Sequence, residues 1–157
     1  KKLRRKTHPL LGHPTINTGV IGGGSQPNIV PDACQADFDR RTLPGETLTT
    51  IRREISEVLT NRGLKARLTN VKGFACPALE TDPSLPLVQQ LMRAARQSLP
   101  MGVDYYCDAA NIAAAGTPAV VWGPGNIAQA HTADEWVSIN QLERGVDILT
   151  RFLLSMP

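Results

Sequence analysis

Between Thr15 and Gly63 the spacing of apolar residues changes from alternating to helical, and that change fixes what the first half of the chain can become. Thr15 to Ile21 (TINTGVI) alternates loosely and is rich in β-branched residues, and Ala33 to Arg40 (ACQADFDR) alternates again. The Gly-rich run from Gly22 to Pro27 lies between them, so the pattern predicts two strands joined as a hairpin with a long tip. From Thr47 to Arg62 the residues Leu48, Ile51, Ile55, Val58 and Leu59 fall on one face at helical spacing, and Gly63 stands where a C-terminal cap is wanted. Leu64 to Val71 (LKARLTNV) alternates once more and predicts a third strand. Strand, strand, helix, strand makes residues 1–73 an α+β region.

Residues 74–157 have an α/β texture. Asp82 as N-cap and Pro83 at the first helical position predict a helix that buries Leu85, Val88, Leu91, Met92, Ala95 and Leu99. Asp108 to Ala115 is an Ala-rich short helix ending at Gly116, and Ala119 to Trp122 is an apolar run of the kind found in a sheet covered on both faces. Ser138 and Gln141 form a capping box ahead of Ile139, Leu142, Val146, Leu149 and Leu153, which predicts a final amphipathic helix.

Composition narrows the classes. With 41% apolar and 20% charged residues in 157, the chain is that of a folded protein. Its formal charge of +3 owes much to the opening run Lys1, Lys2, Arg4, Arg5, Lys6. That run has no interleaved aromatics and no binding motif, so it reads as a solvated helix end or frayed terminus, and nucleic acid is not an expected partner. No apolar run reaches the roughly 18 residues needed to span a bilayer, so no membrane partner is expected either. Cys34, Cys76 and Cys107 show no pairing or structural-zinc spacing, which favours a reducing, cytoplasmic setting.

Few residues offer chemistry. Gly22 to Gly24 lacks the spacing of a phosphate loop and leads into a strand, so it is a hairpin tip. His8 and His13 flank a loop and read as surface histidines. His131 follows the apolar run Ala119 to Trp122 and the turn Gly123, Pro124, Gly125, Asn126, a position where parallel-sheet proteins build sites, and Asp134 and Glu135 are near enough to orient its ring. Arg40 and Arg41 end the second strand, where a guanidinium can meet a carboxylate as a fork. Because adjacent strand residues point to opposite faces, at most one of the two can face a given site.

Three segments together resemble one family. PNIVPDACQADFDRRTLPGET (Pro27 to Thr47), YCDAA (Tyr106 to Ala110) and GTPAVVWGPGNIAQAHTADEW (Gly116 to Trp136) occur in the order found in the amidohydrolases and metallopeptidases that include acetylornithine deacetylase, succinyl-diaminopimelate desuccinylase, aminoacylase and carboxypeptidase G. The resemblance implies a partial βαββαβ lid and dimerisation domain over 1–73 and the C-terminal part of a zinc-peptidase-type α/β catalytic domain over 74–157. It implies amide hydrolysis of N-acyl amino acids or short peptides with a free carboxylate, two zinc ions (or cobalt or manganese), a homodimer formed through the lid, and a hinge near Val71 to Phe74.

On the same basis His131 corresponds to a metal ligand, Asn28 and Arg41 to lid residues reaching the substrate carboxylate, and Gly123 to a turn beside the substrate. The family's His-x-Asp motif and paired glutamates, one of them the general base, have no counterpart in these residues. The chain is therefore expected to be a piece of a larger protein and inactive alone. A catalytically silent dimerisation or binding module of the same fold is the alternative.

Overall fold

A computed structural model describes residues 3–69 and 76–156. The chain divides into two compact units, Lys1–Ala78 with Gly102–Tyr106, and Leu79–Met101 with Cys107–Pro157. The first is mixed α/β and contains the antiparallel strand pair; among the described residues of the second the regular elements are helical.

In the first unit, β1 (Thr15–Gly23) and β2 (Cys34–Arg41) form the expected antiparallel hairpin. The register runs from Thr15 opposite Arg41 to Gly23 opposite Cys34, and it shifts between Thr18 and Val20, so Gly19 is an extra residue in β1. The bulge decides which side chains share a face. Ile16, Thr18 and Ile21 stand with Ala36, Phe38 and Arg40, whereas Thr15, Asn17 and Val20 stand with Asp37, Asp39 and Arg41. The tip needs glycine for a steric reason, since a Cβ on Gly23 would come within 2.5 Å of the Ala33 carbonyl oxygen.

Helix α1 (Leu48–Thr60) begins where its cap dictates. The Thr47 hydroxyl accepts from the Thr50 amide at 3.2 Å while the Thr47 amide donates to the Thr50 hydroxyl at 3.0 Å. At the other end the Leu64 amide reaches back to Leu59 at 2.9 Å across Gly63, and Ile51 is buried. The third predicted strand is not formed over residues 64–69. Alternation supplies a face but not a partner, and among the described residues β1 and β2 pair only with each other. Val71, the end of that strand, and the hinge at Val71 to Phe74 lie outside the described residues.

An ion-pair hub ties this unit together. Leu43, Pro44, Gly45 and Glu46 form a tight turn with Pro second and Gly45 third at φ +80°, closed by the Glu46 amide on the Leu43 carbonyl at 3.1 Å. The Glu46 carboxylate then folds back to accept from the Leu43 amide at 2.9 Å, from Arg40 at 2.8 and 3.1 Å, and from Lys6 at 2.8 Å. Lys6 also donates to Glu54 on α1. The opening basic run is thus not wholly solvated, because Lys6 is a structural member of this cluster.

Burial alone would raise the Glu46 carboxyl, but the hydrogen bonds from Lys6 and Leu43 and the charge of Arg40 outweigh it and hold the group below its ordinary 4.5. Lys6 is raised, first by Glu46 and then by Glu54.

In the second unit, α2 (Pro86–Ala95) starts later than Asp82 predicts. Asp82 instead caps a preceding turn through the Ser84 amide at 2.8 Å. Leu85 precedes Pro86 and is held extended at ψ 135°, so a helix cannot run through it. The helix also ends early, because Arg96 takes a left-handed conformation at φ 55° and leaves Leu99 exposed. Helix α3 (Ala109–Ala114) ends at Gly116 as expected, and α4 (Ile139–Leu154) is capped by the Ser138 hydroxyl accepting from Gln141 at 3.2 Å.

Ala119 to Trp122 forms no strand, since no described segment offers it a neighbour; Thr81 donates to the Ala119 carbonyl instead. α4 packs on α2 through Ile148 and Ala94, and the Arg151 guanidinium donates twice to the otherwise orphaned Ala94 carbonyl, at 3.0 and 3.3 Å. The apolar face predicted to be buried is not covered among the described residues. Ile139, Leu142, Val146, Leu149 and Leu153 are all exposed.

Replacing Glu46 by Ala strands Arg40, whose side chain is 9% exposed, without its counter-charge, and should lower stability by on the order of 3 kcal/mol. The sign of the pH dependence follows from the lowered carboxyl. The contribution of Glu46 is fully present above the ordinary carboxylate value and is lost as pH falls through its depressed value. Denaturant unfolding of the chain and of Glu46→Ala should therefore diverge at neutral pH and converge in acid.

Candidate functional site

The second face of the hairpin is polar, and it presents Arg41. Arg41 is half exposed and donates from Nε to Asp39 at 3.1 Å, with Nη2 2.9 Å from the same oxygen as an ion pair and Nη1 at 3.5 Å from the Asp104 carbonyl. Asp39 and Arg41 are two residues apart and so lie on one side of β2. Arg40 points the other way into the Glu46 hub, so the alternation that separates the two arginines also separates their roles. Both partners in the Arg41–Asp39 pair are more than half exposed, at 51% and 59%. Such a pair contributes about 0 to 1 kcal/mol, so an incoming carboxylate can take the place of Asp39 at small cost.

Asn28 is exposed in the tip, within the turn closed by the Ile29 amide on Gln26 at 3.2 Å. Arg41 is at the opposite end of the hairpin. Seven residue steps of a strand are roughly 23 Å, so one chain does not bring Asn28 and Arg41 to the same carboxylate.

In the second unit, Gly123 is exposed in the turn that leads to Asn126, whose side chain accepts from the Ala128 amide at 2.9 Å and starts a 3-10 turn over Ile127–Gln129. Thr132 donates to the Gln129 carbonyl at 2.8 Å and the chain reverses at His131, which sits at φ 60°. A non-glycine residue there carries strain on the order of 1 kcal/mol, and histidine is among the types found in it more often than most. Glu135 steadies the reversal differently from the sequence expectation. Its carboxylate accepts from the His131 backbone amide at 2.9 Å, so it orients the main chain and not the ring.

The ring of His131 is left on an exposed residue, and among the described residues no three His, Cys, Asp or Glu side chains gather closely enough to hold a metal ion. The described residues therefore do not by themselves fit the two-zinc site that the resemblance implies. His8 and His13 stay in the loop before β1, where His13 Nδ1 lies 2.6 Å from the Lys6 carbonyl. Glu46 and Asp39 are the residues that sequence reasoning missed. Asp39 had a signal, the i, i+2 spacing from Arg41; Glu46 had only its place after a Pro-Gly turn.

Residues 1–67 match the family described as the peptidase dimerisation domain. The chain is 34% identical over 156 residues to the N-acetyl-L-citrulline deacetylase of Xanthomonas campestris, a match covering 88% of the chain and 38% of that protein. It is 31% identical over 144 residues to an acetylornithine deacetylase of Myxococcus xanthus, covering 87% and 37%. A Mycobacterium tuberculosis protein named for succinyl-diaminopimelate desuccinylase is 29% identical over 133 residues, covering 85% and 36%. The chain thus spans less than two fifths of the length of these three relatives.

If the Arg41–Asp39 pair is as weak as its exposure implies, Asp39→Asn changes the unfolding free energy by less than about 0.5 kcal/mol. Denaturant titration of the two proteins measures it, and a loss comparable to that of Glu46→Ala would show that Asp39 is held as tightly as the hub.

Proposed function

Because the chain belongs to the family of acetylornithine deacetylase and succinyl-diaminopimelate desuccinylase, we propose that it is part of a hydrolase that cleaves the amide bond of N-acyl amino acids or short peptides bearing a free carboxylate. The observation that carries this is the 34% identity to a deacetylase along 88% of the chain, joined to the dimerisation-domain match over residues 1–67. In this reading residues 1–73 belong to the lid and homodimer contact, and residues 74–157 to the C-terminal part of the catalytic domain. The exposed apolar residues of α4 support membership of a larger assembly, since a contiguous apolar face of this kind marks an interaction surface.

Arg41 is the proposed anchor for the substrate carboxylate. Its fork is already turned to the polar face and already holds a carboxylate, that of Asp39, by bonds weak enough to be exchanged. Asn28, at the far end of the hairpin, would make a separate polar contact. Gly123 would let backbone approach the bound substrate, and His131, on its strained reversal, would serve as one metal ligand. Zinc, or cobalt or manganese, would need further ligands beyond the described residues, and the general base likewise. Among the described residues no helix is long and apolar enough to cross a membrane.

The test is an amidase assay of a longer protein containing this chain, offered N-acetylcitrulline, N-acetylornithine and N-succinyl-diaminopimelate. Turnover of at least one is expected; none at all would favour the silent dimerisation module. In an active protein Arg41→Ala should lower kcat/KM by about 10- to 100-fold with metal content unchanged. Arg40→Ala should lower stability through Glu46 and leave kcat/KM of the remaining folded protein near its starting value. Equal losses in kcat/KM would remove the reason for choosing Arg41. His131→Ala should release metal, read directly as bound zinc after dialysis, and an unchanged metal content would take His131 out of the site.

A further inference from the structure

Four arginines gather where the C-terminal end of α2 meets α4, and the family reading gives them no part. Arg144, Asp147, Ile148 and Arg151 follow at helical spacing along one side of α4, and with Arg96 they line a groove of about 210 Å³. A second groove shares Arg151 and adds Arg93, Ser155 and Gln90. Arg151 has a structural task, capping the Ala94 carbonyl and so answering the partial negative charge at the end of α2. Arg96 and Arg144 have none. Neither has a carboxylate within ion-pair distance among the described residues, although Asp147 is in the same groove.

One further observation concerns Arg96. Arg96 occupies the left-handed position that ends α2, at φ 55°, where glycine is the favoured residue. The backbone there gains nothing from an arginine, so the side chain is the part that matters. The groove therefore holds three guanidinium groups against one carboxylate.

We propose that this groove binds a small multivalent oxyanion of the phosphate or pyrophosphate kind, held by Arg96 and Arg144 and flanked by Arg151. A planar guanidinium offers paired donors that match phosphoryl oxygens, and two of them lining one groove favour a divalent anion over a single carboxylate. Asp147 on the rim disfavours extended polyanions that would have to pass close to it.

Calorimetric titration of the chain with sodium pyrophosphate and with inorganic phosphate, at constant ionic strength made up with sodium chloride, tests this. Saturable binding with a dissociation constant of about 1 mM or tighter is expected for pyrophosphate, and weaker binding for phosphate. Arg96→Gly and Arg144→Ala should each weaken pyrophosphate binding at least about tenfold. Arg96→Gly relieves the backbone and should keep or raise the thermal midpoint, so its loss of binding cannot be loss of fold. Arg52→Ala, on exposed α1 surface, should leave binding unchanged.

The proposal is overturned by the absence of saturable pyrophosphate binding or by undiminished affinity in both groove variants. It is equally overturned if a short single-stranded oligonucleotide binds more tightly than pyrophosphate and depends on the same arginines.

Discussion

The carboxylate of Glu46 is the constraint on which the first unit depends. It sits beside the turn that joins β2 to α1, and in one place it meets the Leu43 amide, Arg40 at the end of β2, and Lys6 from the segment before β1. Lys6 carries the connection on to Glu54 in α1. With Pro14, Leu43 and Ile51 as the buried residues described in this unit, there is little core to position these elements. A charge cluster with defined geometry does it instead. Desolvation of Arg40 and Glu46 makes such a cluster costly to build and costlier to break, because either of these two left without the other is an unpaired buried charge.

The same cluster explains why Arg41 is available. Strand alternation sends Arg40 to one face and Arg41 to the other, and the Glu46 hub engages only the first. Arg41 is left on a polar face with a weak, solvated partner. The difference in setting between two adjacent, chemically identical residues comes from the strand period and from the position of one glutamate.

The second unit is held differently. α2 and α4 meet over small and aliphatic residues, Ala94 and Ile148 among them, and Arg151 closes the end of α2 by donating to a carbonyl that the helix cannot satisfy itself. The remaining apolar stripe of α4 faces outward. Its periodicity was enough to predict the helix and a buried face, yet among the described residues nothing covers that face, since amphipathicity states that a surface should be buried and not what should bury it. Ala119 to Trp122 fails as a strand for the same reason, and so do residues 64–69.

Local chemistry was legible in the sequence. The hairpin, the capped helix α1, the Gly116 stop, the Ser138 cap and the opposed faces of Arg40 and Arg41 all follow from periods and caps acting within a few residues, and three ordered segments were enough to place the family. The start of α2 was misread because Asp82 and Pro83 formed a plausible cap, while the steric veto of Pro86 on Leu85 acted further along. What only the tertiary structure decided involves partners distant in the chain: Lys6 with Glu46 and Glu54, Arg151 with Ala94, the bulge at Gly19 that assigns each face of the hairpin, and the use of Glu135 on the His131 main chain and not its ring. Hydrogen-bond and ion-pair partners are chosen by proximity in space, and a one-dimensional pattern carries the capacity to bond without the identity of the group that will be near.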